Sequence, residues 1–114
     1  MFIRLGTGKE DEILSPLPKP VEQFKKGYSD VWKAFAELGE RCHEAGPLDE
    51  KSRRLIKIAL SIGAGLEGAT HSAVRNASKA GITDEEIRHV AVLAITTLGF
   101  PAATRALMWI SDEL

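Results

Sequence analysis

The sequence predicts an all-α fold, a single-domain helical bundle, and three observations predict it. Five segments carry apolar residues at helical spacing. No segment alternates apolar and polar residues over a useful length. Glycines, prolines and capping residues separate the segments, so the connections are short. A chain of 114 residues has the length of one domain, and helices joined by short connections bury their apolar faces on one another.

Residues 1 to about 20 read as an N-terminal arm and residues 21–114 as the helical domain. Gly6, Gly8, Pro16, Pro18 and Pro20 interrupt the arm, and Lys9-Glu10-Asp11-Glu12 is a solvated charge run. Leu14, Leu17 and Val21 can still pack on a neighbour. The first helix is expected from about Ser29 to Ala45, capped by Ser29 or Asp30. Val31, Phe35, Leu38 and Cys42 form one stripe at helical spacing, widened by Trp32 and Ala36. Gly46-Pro47 stops it.

Asp49 is a good N-cap for a second helix, to about Ile62, whose later half is apolar on most sides. Gly63 and Gly65 then permit a bend or a close crossing. The third helix spans about Leu66 to Ala80, with a stripe of small residues at Ala69, Ala73, Ala77 and Ala80, and Gly81 is its expected stop. Thr83-Asp84-Glu85-Glu86 reads as a capping box in which Thr83 caps and Glu86 reaches back. The fourth helix, about Asp84 to Leu98, carries Ile87, Val90, Ala91, Ala94, Ile95 and Leu98 as a core stripe. Val92 and Leu93 lie on the opposite side, which implies that a second surface is covered by another helix or another subunit. Gly99-Phe100-Pro101 breaks the chain, and Pro101 suits the first turn of a last helix to about Asp112, with Ala103, Leu107 and Ile110 inward.

Charge narrows the function classes. Lys and Arg total 15, Asp and Glu 16, for a formal net charge of -1. No long-range field draws such a chain to nucleic acid or to an anionic membrane, and so neither is an expected partner. Near-neutrality also does little to keep copies apart. No run approaches the roughly 18 apolar residues of a bilayer span, and Met1-Phe2-Ile3-Arg4-Leu5-Gly6 lacks the apolar core of a signal peptide. Cys42 is the lone cysteine. It excludes an internal disulfide and reads as a small buried side chain in a reducing compartment, so a cytoplasmic location is expected.

The candidate chemistry centres on Gly65-Leu66-Glu67-Gly68-Ala69-Thr70-His71. Glu67 and His71 stand four residues apart at the start of the third helix, where they share a face and can touch. Imidazole titrates near neutrality and can give or take a proton at working pH. Glu67 can orient the ring. Acid–base use expects His71 on a cavity wall. The alternative is a solvent-exposed Glu–His pair worth a few tenths of a kcal/mol to the helix. Glu67 and Thr70 also occupy the first turn, where free N–H groups and the helix dipole favour a negative charge, their own or a ligand's. His89 belongs to the outer side of the fourth helix, at an interface, on the surface or in a pocket. His43 near a helix end is explained by contact with the dipole. Glu67 and His71 would give a metal only two ligands, whereas zinc normally takes at least three from protein. No metal site is expected. No phosphate loop, nucleotide fingerprint or Ser-His-Asp signature appears, and so no cofactor is expected.

From about Leu48 onward the chain carries Leu48-Asp49-Glu50-Lys51-Ser52-Arg53-Arg54-Leu55-Ile56, Lys79-Ala80-Gly81-Ile82-Thr83-Asp84-Glu85-Glu86-Ile87 and Gly99-Phe100-Pro101-Ala102 in that order. In these pieces and their spacing it resembles the carboxymuconolactone decarboxylase family, which includes the alkylhydroperoxidase D-like proteins. The resemblance implies an all-helical domain that assembles as a homo-oligomer, commonly a trimer or hexamer. It implies no single activity, because the scaffold hosts several chemistries. The peroxidase branch uses a Cys-x-x-Cys pair, a histidine and a glutamate; aligned through Gly81 these fall on Leu66, Ala69, Ala73 and Arg54. None matches, and thiol peroxidase chemistry is not expected. The decarboxylase branch implies cysteine-independent lyase chemistry on a small acidic molecule. On that reading His71 and Glu67 are the catalytic candidates, and Arg54, Thr70 and His89 the substrate-binding ones. Arg54 would grip a carboxylate as a fork, or else lie solvated beside Arg53. A catalytically silent ligand-binding or assembly protein on the same scaffold is the alternative.

Overall fold

The computed structural model describes residues 18–114. The arm assigned to residues 1 to about 20 lies, for residues 1–17, outside the described residues. Six helices are described: α1 (Lys19–Gly27), α2 (Ser29–Glu44), α3 (Glu50–Gly63), α4 (Glu67–Lys79), α5 (Asp84–Leu98) and α6 (Phe100–Ser111). The all-α expectation holds, and no strand occurs among the described residues. No helix among them is long and apolar enough to cross a membrane. The contacts divide the chain into two compact units, Leu48–Leu114 and the segment that ends at Pro47.

In the first of these, in chain order, α1 is a helix that the prolines had argued against. Pro18 takes the N-cap position and Pro20 the first turn, where a missing N–H costs nothing. The Pro18 carbonyl accepts from the Val21 and Glu22 amides at 3.0 Å. Glu22 near the start and Lys25 and Lys26 near the end complement the dipole. A single residue, Tyr28, separates α1 from α2, and its ring lies 5.1 Å from that of Phe24.

Helix α2 starts at Ser29, but Tyr28 takes the N-cap position without a side-chain cap, so neither Ser29 nor Asp30 caps it as expected, and the helix is rotated from the expected register. Trp32, Ala36, Gly39 and His43 are its buried residues. Val31, Phe35 and Leu38 are exposed, and so is Cys42. The expected core stripe and the buried Cys42 are both corrected. The apolar arc of this helix is wide enough for two adjacent stripes. The buried one holds the largest side chain, Trp32, next to Ala36 and Gly39, whose small size permits close approach.

The unit Leu48–Leu114 has one core, built from α3 to α6. Ile58, Ile62, Val74, Ala77, Ile82, Ile87, Ala91, Ala106 and Ile110 form a single buried cluster. The side-chain caps of α3 and α5 are those the sequence calls for. The Asp49 carboxylate accepts from the Ser52 amide at 2.7 Å, and this hydrogen bond holds the Asp49 carboxyl below its ordinary range. Gly65 (φ 68°) and Gly81 (φ 88°) take the left-handed conformation that closes α3 and α4. There the Leu66 amide donates to the Ser61 carbonyl and the Ile82 amide to that of Ala77. Pro101 lies in the first turn of α6.

The capping box at α5 is complete. The Glu86 amide donates to Thr83 Oγ1 at 3.2 Å, and the Thr83 amide donates to Glu86 Oε1 at 3.0 Å. Lys51 of α3 pairs with the other Glu86 oxygen. The hydrogen bond from Lys51, followed by that from the Thr83 amide, lowers the Glu86 carboxyl from its ordinary 4.5 to about 2. A carboxyl depressed on folding stabilises the fold above its unfolded value and ceases to do so as pH falls through its folded one. Acid titration of urea stability is therefore expected to show a loss between pH 4.5 and about 2. Glu86→Gln should flatten that segment of the curve. An unchanged acid limb in the variant would contradict the linkage.

Candidate functional site

The start of α4 carries the imidazole, one turn after Glu67. The chain enters α4 from Gly65 through Leu66, whose carbonyl accepts both the Thr70 amide and the Thr70 hydroxyl. Four residues after Glu67, His71 turns its ring toward the C-terminal end of the chain. Its Nε2 lies 3.3 Å from Glu67 Oε2 and its Nδ1 lies 2.7 Å from Glu113 Oε2. The same Glu113 oxygen lies 3.2 Å from a terminal nitrogen of Arg75, one turn further along α4. The anticipated Glu67–His71 pair is thus formed, and a second carboxylate closes on the other side of the ring.

Burial distinguishes the members. The His71 side chain is 17% exposed and Glu67 63%. The ring is therefore not a solvated surface group. Glu113 and Arg75 are also largely shielded, which strengthens their charge-assisted contact relative to one in open water. Glu67 is the member open to solvent.

The remaining candidates do not join this cluster. Arg54 is buried, not solvated, and its Nε donates to Glu50 Oε1 at 2.7 Å. The other Glu50 oxygen takes Arg53 at 3.1 Å. Thr70 is fully buried and its hydroxyl donates to the Leu66 carbonyl at 2.8 Å, a bond internal to the helix. His89 lines a different feature, an open groove of about 590 Å³ between α3 and α5. The walls of that groove are mostly apolar, among them Leu55, Ile56, Val90, Leu93 and Leu98, with Glu86 and Thr97 as further polar members. Glu67 and His71 are not among its walls, so the cavity-wall position expected of His71 is not met by this groove; the ring is shielded instead by its contacts with Glu113 and Glu67. His43 is buried in the last turn of α2. Among the described residues no group of three or more His, Cys, Asp or Glu is placed to hold a metal ion.

Sequence reasoning missed Glu113 and Arg75. Arg75 was within reach, since it follows His71 at i+4 on the same helix face. Glu113 stands 42 positions from His71 and lies just past α6, in a turn whose amide donates to the Ile110 carbonyl. No local periodicity connects a terminal carboxylate to a helix start. The only signal was the presence of a carboxylate close after the inward-facing Ile110.

Comparison with known proteins agrees with the fold. The family model for the carboxymuconolactone decarboxylase family matches residues 29–112. An uncharacterized protein of Methanocaldococcus jannaschii is 32% identical over 84 residues, 73% of this chain and 81% of the relative. With the helical core, the capped helix starts and this match in view, the chain belongs to the carboxymuconolactone decarboxylase family.

Proposed function

We propose that this protein is a cysteine-independent acid–base enzyme of the lyase or decarboxylase type, acting on a small acidic molecule. His71 is the proton-transfer group and Glu67 its solvent-side partner. The observation that carries this reading is the partly buried imidazole with both ring nitrogens against carboxylate oxygens. A positioned imidazole of this kind accelerates proton transfer by about 10² to 10⁴-fold. The absence of a Cys-x-x-Cys pair anywhere in the chain supports proton chemistry over thiol peroxide reduction. The test is an assay of wild-type and His71→Ala protein on a panel of small lactone acids and β-keto acids. Substrate loss in wild type alone supports the reading; equal rates in both proteins refute it.

We also propose that the protein is a homo-oligomer, a trimer or hexamer as in its family, and works in the cytoplasm. Support for association comes from α3 and α5. Ile56, Leu60, Val92, Leu93 and Leu98 are exposed along these helices, and no charged residue interrupts α5 between His89 and Leu98. Interface centres are depleted of charge in this way. Leu93, 62% exposed, contributes little to the monomer core, so Leu93→Glu should leave helicity intact. Light scattering should then report a lower mass for the variant than for wild type. A wild-type monomer at micromolar concentration would refute association. The lone Cys42 is exposed, which suits a reducing compartment.

The groove favours a second reading, a catalytically silent binding or assembly protein. Its volume falls in the range of small-ligand sites, and its few polar members would orient a bound molecule. An inactive wild type that binds small acids without converting them would select it.

A further inference from the structure

We infer that Glu113, held by Arg75, is the positioning residue of the site: it fixes the neutral His71 ring in the tautomer protonated at Nδ1 and so makes Nε2 the working nitrogen. The mechanistic consequence rests on the proton-transfer reading above, but the tautomer itself does not.

The geometry decides between the two nitrogens. A neutral imidazole has one N–H donor and one acceptor, whereas an ionised carboxylate only accepts. At 2.7 Å the Nδ1–Glu113 contact has the length of a charge-assisted hydrogen bond, while the Nε2–Glu67 contact is 3.3 Å. The single ring proton therefore belongs on Nδ1. Burial points the same way. Glu113 and the ring are both shielded, so an unmade hydrogen bond there costs more than one to the exposed Glu67. Arg75 adds the constraint that makes Glu113 rigid. Its guanidinium reaches the same Oε2, so the carboxylate is aimed by one cation while it receives the imidazole N–H. Nε2 is then left with its lone pair, and since the carboxylate of Glu67 cannot donate to it, the exposed Glu67 side chain turns to solvent in this state and meets Nε2 only when that nitrogen carries a proton. In turnover Nε2 would accept a substrate proton, the bonding pair staying on the substrate, and would return a proton later. Glu67 is placed to accept from Nε2–H in between.

The assignment can be read without any substrate. In the full chain with 15N-labelled histidine, long-range 1H–15N spectra at a pH where His71 is neutral distinguish the two tautomers. Wild type is expected to show a pyrrole-type Nδ1 and a pyridine-type Nε2. Glu113→Ala should reverse the major form toward Nε2–H, which an unrestrained imidazole favours. Glu113→Gln, whose amide oxygen can still accept, should retain Nδ1–H and thereby rescue the wild-type pattern. A wild-type ring protonated mainly at Nε2 overturns the proposal even if no variant folds. An unchanged tautomer in a folded Glu113→Ala protein also overturns it. Loss of the acid–base reading would leave this spectrum untouched and would show only as equal turnover by wild type and His71→Ala. Failure of the tautomer assignment would leave the turnover comparison standing.

Discussion

Ile87→Ala is expected to lower the unfolding free energy of the Leu48–Leu114 unit by about 3 kcal/mol, within the roughly 2 to 5 kcal/mol found for such core truncations. Ile87 is fully buried on α5 and belongs to the cluster with Ile58, Val74 and Ile110. Those neighbours come from α3, α4 and α6, so the lost methyl groups leave a void that no single helix can close by a small shift. Small domains hold only about 5 to 15 kcal/mol in total, so this one substitution removes a large part of it. Urea unfolding followed by circular dichroism should show the midpoint fall with little change in slope. Arg88→Ala on the same helix is the control, since Arg88 is exposed and lies outside the apolar patch, and it should stay within about 0.5 kcal/mol of wild type. Equal losses at the two positions would contradict the orientation of α5.

His71→Ala is expected to reduce turnover by about 10² to 10⁴-fold, the contribution of a positioned acid–base group. The fold should tolerate the change. Arg75 still holds Glu113 when the imidazole is gone, so the expected structural cost is about 1 kcal/mol for a lost hydrogen bond. The loss should appear in kcat and kcat/KM together if His71 acts mainly in the transition state. Glu67→Gln should cost less, because Glu67 is mostly solvated and meets the ring at 3.3 Å. A Glu67 variant more damaging than the His71 variant would reverse the assigned roles.

Much of the fold was legible because its signals are local. Asp49, Thr83 with Glu86, Gly81 and Pro101 each act within one helical turn of the group they satisfy, and each does what its position implies. Helix α1 is hidden in a sequence that shows prolines as breakers, because Pro18 and Pro20 occupy the one part of a helix that has no use for their N–H. The rotation of α2 was missed for a different reason. Its apolar residues span two stripes, and periodicity cannot say which of two adjacent stripes is buried. The Glu67–His71 contact was foreseen from spacing alone. The separation of Arg54, Thr70 and His89 from it was not, because residues near in sequence or shared by a family pattern need not converge in space.

The sequence by itself determined the helical class, the Asp49 and Thr83 caps, the stop at Gly81, and the pairing of Glu67 with His71, because helix geometry couples residues only three or four positions apart. Only the tertiary structure decided that Trp32 rather than Phe35 is buried, and that Glu113 and Arg75 complete the surroundings of His71. Those outcomes depend on which helix faces pack together, and the packing of α4 against α6 brings a carboxylate from the end of the chain to an imidazole 42 residues earlier.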